Sequence, residues 1–543
     1  MHENILIFMK KILSLFILLN IGNSLLAQFT TNLPVVIITT SGAIGNTQIQ
    51  GTMSIIDNAS GINNYPNDPS TFSGMIGIKL RGGAAYAKQS YTVETWIQPG
   101  VSLDTSLLGM PSDNDWVLLG HYPDRSLLRE NLAYILHSNM GRYAPRMKFV
   151  ELVVNNQYAG IYNFGETIKR NSGRLGLSKL TVNDNYGYNL TGGYIWEINT
   201  GNNPDWASAY APPFAVAGQT IGFDYVYPKS SDIIPVQEAY IKSYVDSFEN
   251  AMNAANYQDT LLGWRKHGAV NSFIDFILIQ EVSKNYYAYR KNNYYYKDKG
   301  TKMRPGPLWG FDISFYNTNS CNSSLDTGWA YNLGGACPNE SSLAPFWWRK
   351  LTTDNLFMSD LKCRYQNFRE PDQTLDTTKI FFYIDSMSSY LNQNGAITRN
   401  FTQWPIWNTP IVNEPTPMAP DYATEISNLK QYIRKRLIWL DNQWQRPASC
   451  FPTGLQNQSL ENDITIYPIP TNGLLNVQFN NNHSYATQIL LYDMQGKCLY
   501  QAINKEQIHS IDVSHFAKGV YFIQVKSNEN SLVKKSLLIK IKK

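Results

Sequence analysis

The stretch "GPLWGFDISFYN", residues 306–317, places one carboxylate, Asp312, inside an apolar and aromatic run. Its alternation predicts a strand, with Leu308, Gly310, Asp312 and Ser314 on one face and Trp309, Phe311, Ile313 and Phe315 on the other. A carboxylate in such a run is costly unless it is exposed, hydrogen-bonded or bound to a cation. Two readings follow: Asp312 is a metal-binding acid, or it is a side chain satisfied by backbone donors at a strand end.

The surroundings place this run late in a mixed region. "LPVVIITT", "GMIGIKLRG", "SYTVETW", "MKFVELVVNNQYAGIYNFGE" and "TGGYIWEIN" read as strands, with "QYAG" closing a hairpin. Helices are predicted over 126–140, 235–254 and 271–283, the last apolar on nearly every face and capped by Ser272. More helices follow in 340–445, notably "EISNLKQYIRKRLIWLDNQW". Strands first and helices later predict an α+β body. "RPASCFPTGLQNQSLEND" reads as a linker, after which short strands recur about every ten residues, as in an all-β sandwich.

Composition narrows the class. The chain has 543 residues, 43% of them hydrophobic and 16% charged, which fits a large globular body plus a smaller module. A net charge of +4 gives no support to a nucleic-acid surface. The 35 Tyr and 13 Trp suit sugar or protein partners, but large extracellular β-rich folds share that bias. Met9-Lys10-Lys11, the apolar "ILSLFILLNIG" and "NSLLA" before Gln28 have the order of a secretory signal peptide, too short for a membrane span. Met9 also serves as an alternative start. Of five cysteines, Cys321 and Cys337 flank a loop they could close, contributing about 3 kcal/mol. Cys363, Cys450 and Cys498 are too dispersed to pair by spacing. The P-loop, GxGxxG, GxSxG and HExxH signatures are absent from the sequence, so function must come from separated residues.

Four segments follow one another in order: "IKLRGGAAYAKQSYTVETW", "DNDWVLLGHYPDRSLLRENLAYIL", "ELVVNNQYAGIYNFGETIKRNSGRLGL" and "FILIQEVSKNYYAYRKNNYYYKD" leading to "GPLWGFDISFYN". Taken together they resemble the CotH family of atypical secreted or surface protein kinases. The resemblance implies ATP with Mg²⁺ or Mn²⁺ as cofactors and phosphoryl transfer to Ser/Thr of an exported protein acceptor. Lys88 matches the family's phosphate-contacting lysine, Glu166 an acid holding it, and Asp312 and Asn293 a metal carboxylate and its neighbouring oxygen; Arg81 and Arg170 are weaker phosphate candidates. Two positions depart from the family: acids are expected near Tyr287 and at Gly310. Asp275 and Asp298 are the nearby carboxylates that could substitute for the missing base.

The end of the chain carries a second resemblance. "ITIYPIPTNGLLNVQF", "LLYDMQGKCLY", "IDVSHFAKGVYFIQV" and "VKKSLLIKIKK" are similar to the C-terminal sorting domain of type IX secretion substrates, with Pro468 and Pro470 at the first hairpin and turns at Gly473, Gly496 and Gly519. This implies the type IX secretion machinery as partner, passage through the outer membrane, and release or display at the cell surface without a transmembrane span in the mature chain. The expected organisation is a signal over 1–27, an α+β kinase-like domain over 28–445, a linker over 446–463 and an immunoglobulin-like sorting domain over 464–543. Two other readings compete with the kinase: a kinase-like surface binding module without turnover, and a carbohydrate-binding surface protein, for which no carboxylate pair is identifiable.

Overall fold

The computed structural model describes residues 28–450 except 83–84, 200, 202, 217, 338–339 and 341, and in the tail 464–469, 471, 473–479, 487–493, 498–504, 506–516, 520–527 and 536–539. The expected signal, most of the linker, and Pro470, Gly496 and Gly519 lie outside the described residues. The chain divides into two compact units, Met1–Arg446 and Pro447–Lys543.

In the first unit, β1 (Phe29–Thr31) pairs with β4 (Asn63–Tyr65), and eight further strands form one sheet. These are β2 (Val35–Thr40), β3 (Ile49–Ile56), β5 (Phe72–Arg81), β6 (Ser90–Gln98), β7 (Val101–Ser102), β8 (Asp115–Leu119), β9 (Met147–Val154) and β10 (Gln157–Glu166). The order is β5-β3-β2-β9-β10-β8-β6-β7, and β5 also pairs with β6, so the sheet closes into a barrel. Alternation then sends Ile76, Ile78, Val93, Trp116, Leu118, Tyr162 and Phe164 into a filled interior. The opposite positions of β5, β6 and β8 face outward. The β9–β10 hairpin turns at Asn155 and Asn156, both at positive φ, rather than at "QYAG"; Tyr158 and Gly160 instead flank a bulge in β10.

A second, antiparallel sheet combines β11 (Tyr194–Asn199), β12 (Trp206–Ala207), β13 (Gly222–Tyr227), β14 (Tyr294–Lys297) and β15 (Arg304–Pro305) in the order β12-β13-β11-β14-β15. Val117 and Leu119 of β8 pack against Ile195, Tyr294 and Trp309, joining the barrel to this sheet. The longer helices are α1 (Arg129–Asn139), α2 (Pro235–Asn253), α3 (Val270–Ser283), α4 (Asn355–Arg369), α5 (Thr377–Asn392), α6 (Ala396–Gln403) and α7 (Tyr422–Gln443). As expected, α3 is buried almost throughout. Its N-cap is Ala269, however, and the Ser272 hydroxyl is buried without a partner, so Ser272 is not the cap. Mixed strands and helices make the body α+β.

Cys321 and Cys337 form a disulfide with Cα atoms 5.1 Å apart. Cys363 and Cys450 are also oxidised, leaving Cys498 as the free thiol. In the second unit, β16 (Ile464–Tyr467), β17 (Leu474–Phe479) and β20 (Ile508–Asp512) form one sheet. The other holds β18 (Thr487–Tyr492), β19 (Cys498–Asn504), β21 (Val520–Ser527) and β22 (Ser536–Ile539). Leu475, Val477 and Ile511 from the first share a core with Ile489, Leu491 and Ile523 from the second. Among the described residues no helix is long and apolar enough to cross a membrane.

Candidate functional site

Residues 306–317 do not form the expected strand. Gly310, Phe315 and Tyr316 have φ of 76°, 46° and 76°, which interrupts any extended run, and the segment is a looped turn. Two adjacent buried charges on α1 hold it. Glu130 accepts from the backbone N–H of Gly310 at 3.1 Å and from that of Phe311, while the Nε of Arg129 donates to the carbonyls of Ser314 at 3.1 Å and Phe315 at 3.3 Å. Asn285 donates to the Gly310 carbonyl at 3.1 Å and Asn317 to that of Asp312 at 2.7 Å. Several backbone groups that a sheet would have paired are satisfied by these side chains, and others by turn bonds or by the Ser283 carbonyl, which accepts from the Phe315 N–H at 2.8 Å.

Asp312 sits half-buried on this turn with no ion pair among the described residues. Burial, then the nearby carboxylates of Glu130 and Asp124, push its carboxyl up to about 7. Those two neighbours are engaged elsewhere. Asp124 accepts from the backbone N–H of Ser126 and of Arg129, each at 3.0 Å, and pairs with the Arg129 guanidinium. Glu130 also takes the Tyr134 hydroxyl. Asp312 is the carboxylate of the three with no cationic or side-chain partner, though its own backbone N–H and that of Ile313 partly offset the rise; burial first, and then Asp312, raises the phenols of Tyr86 and Tyr287.

Lys88 approaches the same cluster from the loop before β6, not from a strand. Its ammonium is sealed at the barrel's end, donating to the Ile161 carbonyl at 2.5 Å and to Asn400 Oδ1 of α6 at 3.0 Å, 4.9 Å from the Tyr162 ring centroid. Burial lowers it to about 7, with Asp124 pulling it back up. A Cβ at Gly160, where φ is +107°, would lie 2.7 Å from Asn400 Oδ1 and 3.2 Å from the Lys88 chain, so this packing requires glycine. Asp124 acts electrostatically on Lys88, His121 and Asp312 alike, which places the three in one neighbourhood.

The expected Lys88–Glu166 pair is not formed. Glu166 ends β10 fully buried and bonds Arg146 Nη1 at 2.6 Å, the Arg146 backbone N–H at 2.9 Å and the Tyr143 hydroxyl at 3.0 Å. The Arg81 guanidinium lies over the Trp309 ring, 4.7 Å from its centroid. Arg170 lies elsewhere, over Tyr227. Asn293 is buried and props the Tyr287 turn by donating to the Tyr287 carbonyl at 3.1 Å, while its Oδ1 is buried without a partner. At Gly310 a Cβ would lie 2.4 Å from the Asn292 amide nitrogen, so Asn292 fills the space of the acid expected there.

Neither substitute base is available. Asp275 is fully buried between Arg142, at 2.6 Å, and Arg364. Asp298 Oδ1 accepts the backbone N–H groups of Ser178 at 3.0 Å and Lys299 at 2.8 Å. Sequence reasoning missed Asp124, Arg129, Glu130 and His121. Asp124 had a local signal, since Asp-x-Ser just before a helix is a capping pattern, and Arg129 and Glu130 follow in the first turn of that helix. His121, at φ 44° with a buried Nε2 lacking a partner, had none.

The CotH kinase protein family model matches residues 78–440, well over half of the sequence and all of the elements that build this cluster. The chain belongs to the CotH kinase protein family. A secretion system C-terminal sorting domain matches residues 465–540, and no curated relative matches the chain. The CotH domain thus contains Lys88 and Asp312, and the sorting domain implies secretion or attachment at the cell surface.

Proposed function

We propose that this is an exported CotH-type protein kinase that takes ATP with Mg²⁺ at Asp312 and transfers the γ-phosphoryl group to Ser/Thr hydroxyls of exported proteins. The observation that carries the reading is Asp312: a carboxyl pushed up to about 7 among other acids, with no cation beside it in the described residues, is a site that a divalent ion completes. Among the described residues, the one close group of three metal-ligand side chains is Cys321, Cys337 and Glu340, whose sulfurs are in a disulfide, so no protein-only metal cage exists at Asp312. Mg²⁺ fits such a place, because it commonly takes one or two carboxylates and completes its shell with phosphate oxygens and water. Asp312 and the partnerless Oδ1 of Asn293 would hold it. The bound ion would neutralise charge on the phosphates.

The chain's own contribution is positioning. Glu130 and Arg129 fix the Asp312 turn from both ends, and Asn400 and Ile161 fix Lys88. Glu166 supports the hairpin through Arg146 rather than through Lys88. The immunoglobulin-like tail and the signal would deliver the domain to the exterior.

A second reading has its own observation. Asp124, Glu130, Asp275 and Asp298 all have protein partners, and Gly310 is backed by Asn292, so none of these positions offers a ready base. This favours a nucleotide-binding surface module with slow or absent transfer. Incubating the full mature chain with γ-labelled ATP, Mg²⁺ or Mn²⁺ and a generic acceptor separates the two. Label transfer abolished by Asp312→Ala supports the kinase. Thermal stabilisation by Mg²⁺-ATP without transfer supports the module. No stabilisation and no transfer would exclude both.

A further inference from the structure

Between the outward face of the barrel and the second sheet runs an open cleft of about 960 Å³. Its cations come from different walls. Lys79 rises from β5, Lys169 and Arg170 from the segment after β10, Lys179 from the following loop, and Lys229 from beyond β13. Lys169 is committed to Asp113 and Asp115 at 3.1 and 2.6 Å. Lys79, Lys179 and Lys229 form no ion pair among the described residues, and Arg170 contacts the Tyr227 ring. These cations reach the cleft from four separate segments of the chain.

Three acids, Glu94, Asp115 and Asp232, are interspersed among them. A uniformly charged polyanion would meet repulsion at each. Glu94 is satisfied by Gln48, Ser102 and Asn114 at 3.1, 2.6 and 3.0 Å, so it demands no external cation. Thr92, Thr167 and Thr181 add hydroxyls, and Val182 and Val226 add apolar contacts. Separated negative side chains, with neutral backbone and small residues between them, fit this pattern.

We propose that this cleft docks an acidic, Ser/Thr-bearing segment of the acceptor protein, through Lys79, Lys179, Lys229 and Arg170. The inference deepens the kinase reading and rests on it for the identity of the segment as acceptor, but docking itself is separately measurable. Concave positive surface also raises the local concentration of acidic partners, more so at low salt.

The test is fluorescence anisotropy on the full mature chain with a short labelled peptide of alternating Asp and Ser. The expected result is saturable binding that weakens with added salt and falls about tenfold in K79Q/K179Q/K229Q, from three lost partly exposed charge contacts. The exposed pair K179Q/K229Q gives a smaller loss and guards against misfolding, monitored by an unchanged melting temperature. Equal binding of an Asn–Ser peptide, tighter binding of dextran sulfate, or undiminished binding by the triple variant would overturn the proposal. Peptide binding retained by a wild-type chain that transfers no label would sink the kinase reading and leave docking supported. Label transfer without peptide binding would do the reverse.

Discussion

Replacing Asp312 by Asn tests the central electrostatic argument without needing an acceptor. In metal-free buffer the carboxyl titrates near 7 in the fold against an ordinary 3.8, because burial and the charges of Glu130 and Asp124 oppose its ionisation. The native state therefore holds this proton more tightly than the unfolded state. The associated stability is fully present below pH 3.8 and is lost as pH rises through 7. At about 1.4 kcal/mol per pH unit the full difference is about 4 kcal/mol. Partial exposure of Asp312 trims it to about 3 kcal/mol. Over a unit of roughly 420 residues, with an unfolding entropy of about 2.1 cal/mol/K per residue, that corresponds to about 3 °C. Asn keeps the shape and cannot ionise. Thermal melts at pH 5 and pH 8 should show Asp312→Asn above wild type by about 1 °C at the lower pH, where the unfolded carboxyl is already ionised, and by about 3 °C at the higher. Saturating Mg²⁺-ATP should restore wild type at pH 8 and leave the variant unmoved. A variant that tracks wild type at both pH values, or that melts lower at pH 8, would refute the claim that Asp312 carries an uncompensated charge.

Further predictions follow from the same contacts. Gly310→Asp should not rebuild an acidic pair: φ is +76° and the new Cβ meets the Asn292 amide, so a loss of about 1–3 kcal/mol in urea melts is expected, partly relieved by Asn292→Ala. Glu166→Gln should cost about 1–3 kcal/mol through Arg146 and Tyr143 while leaving nucleotide affinity unchanged; a large loss of affinity by titration calorimetry would restore Glu166 to the phosphate site. Breaking the Cys321–Cys337 bond, which spans a sequence separation of 16, by Ser substitution of both should cost about 3 kcal/mol, read by melts against the oxidised chain.

Much of the fold was legible because its signals are local. β-Branched runs marked the barrel strands, the all-round apolar "NSFIDFILIQEVS" marked a buried helix, and the Cys321–Cys337 spacing allowed a bridge that is formed. The strand predicted over 306–317 failed because alternation says nothing about φ, and the positive values at Gly310, Phe315 and Tyr316 lie in a turn held by Arg129 and Glu130, far away in the chain. The hairpin turn was misplaced by two residues for a related reason: consecutive asparagines tolerate positive φ better than "QYAG" does. Glu166 shows the limit of matching residue types, since a lysine and a glutamate at the expected positions found different partners, Asn400 and Arg146.

By itself the amino-acid sequence determined an exported CotH-family chain with an α+β body and a strand-built sorting tail. Those conclusions depend on order, period and composition, which survive without coordinates. Tertiary structure alone decided which ions meet. It sealed Lys88 against Asn400, gave Glu166 to Arg146, and left Asp312 facing other acids without a cation. Burial and distance set the energy of a charge, and both come from segments hundreds of residues apart being folded together.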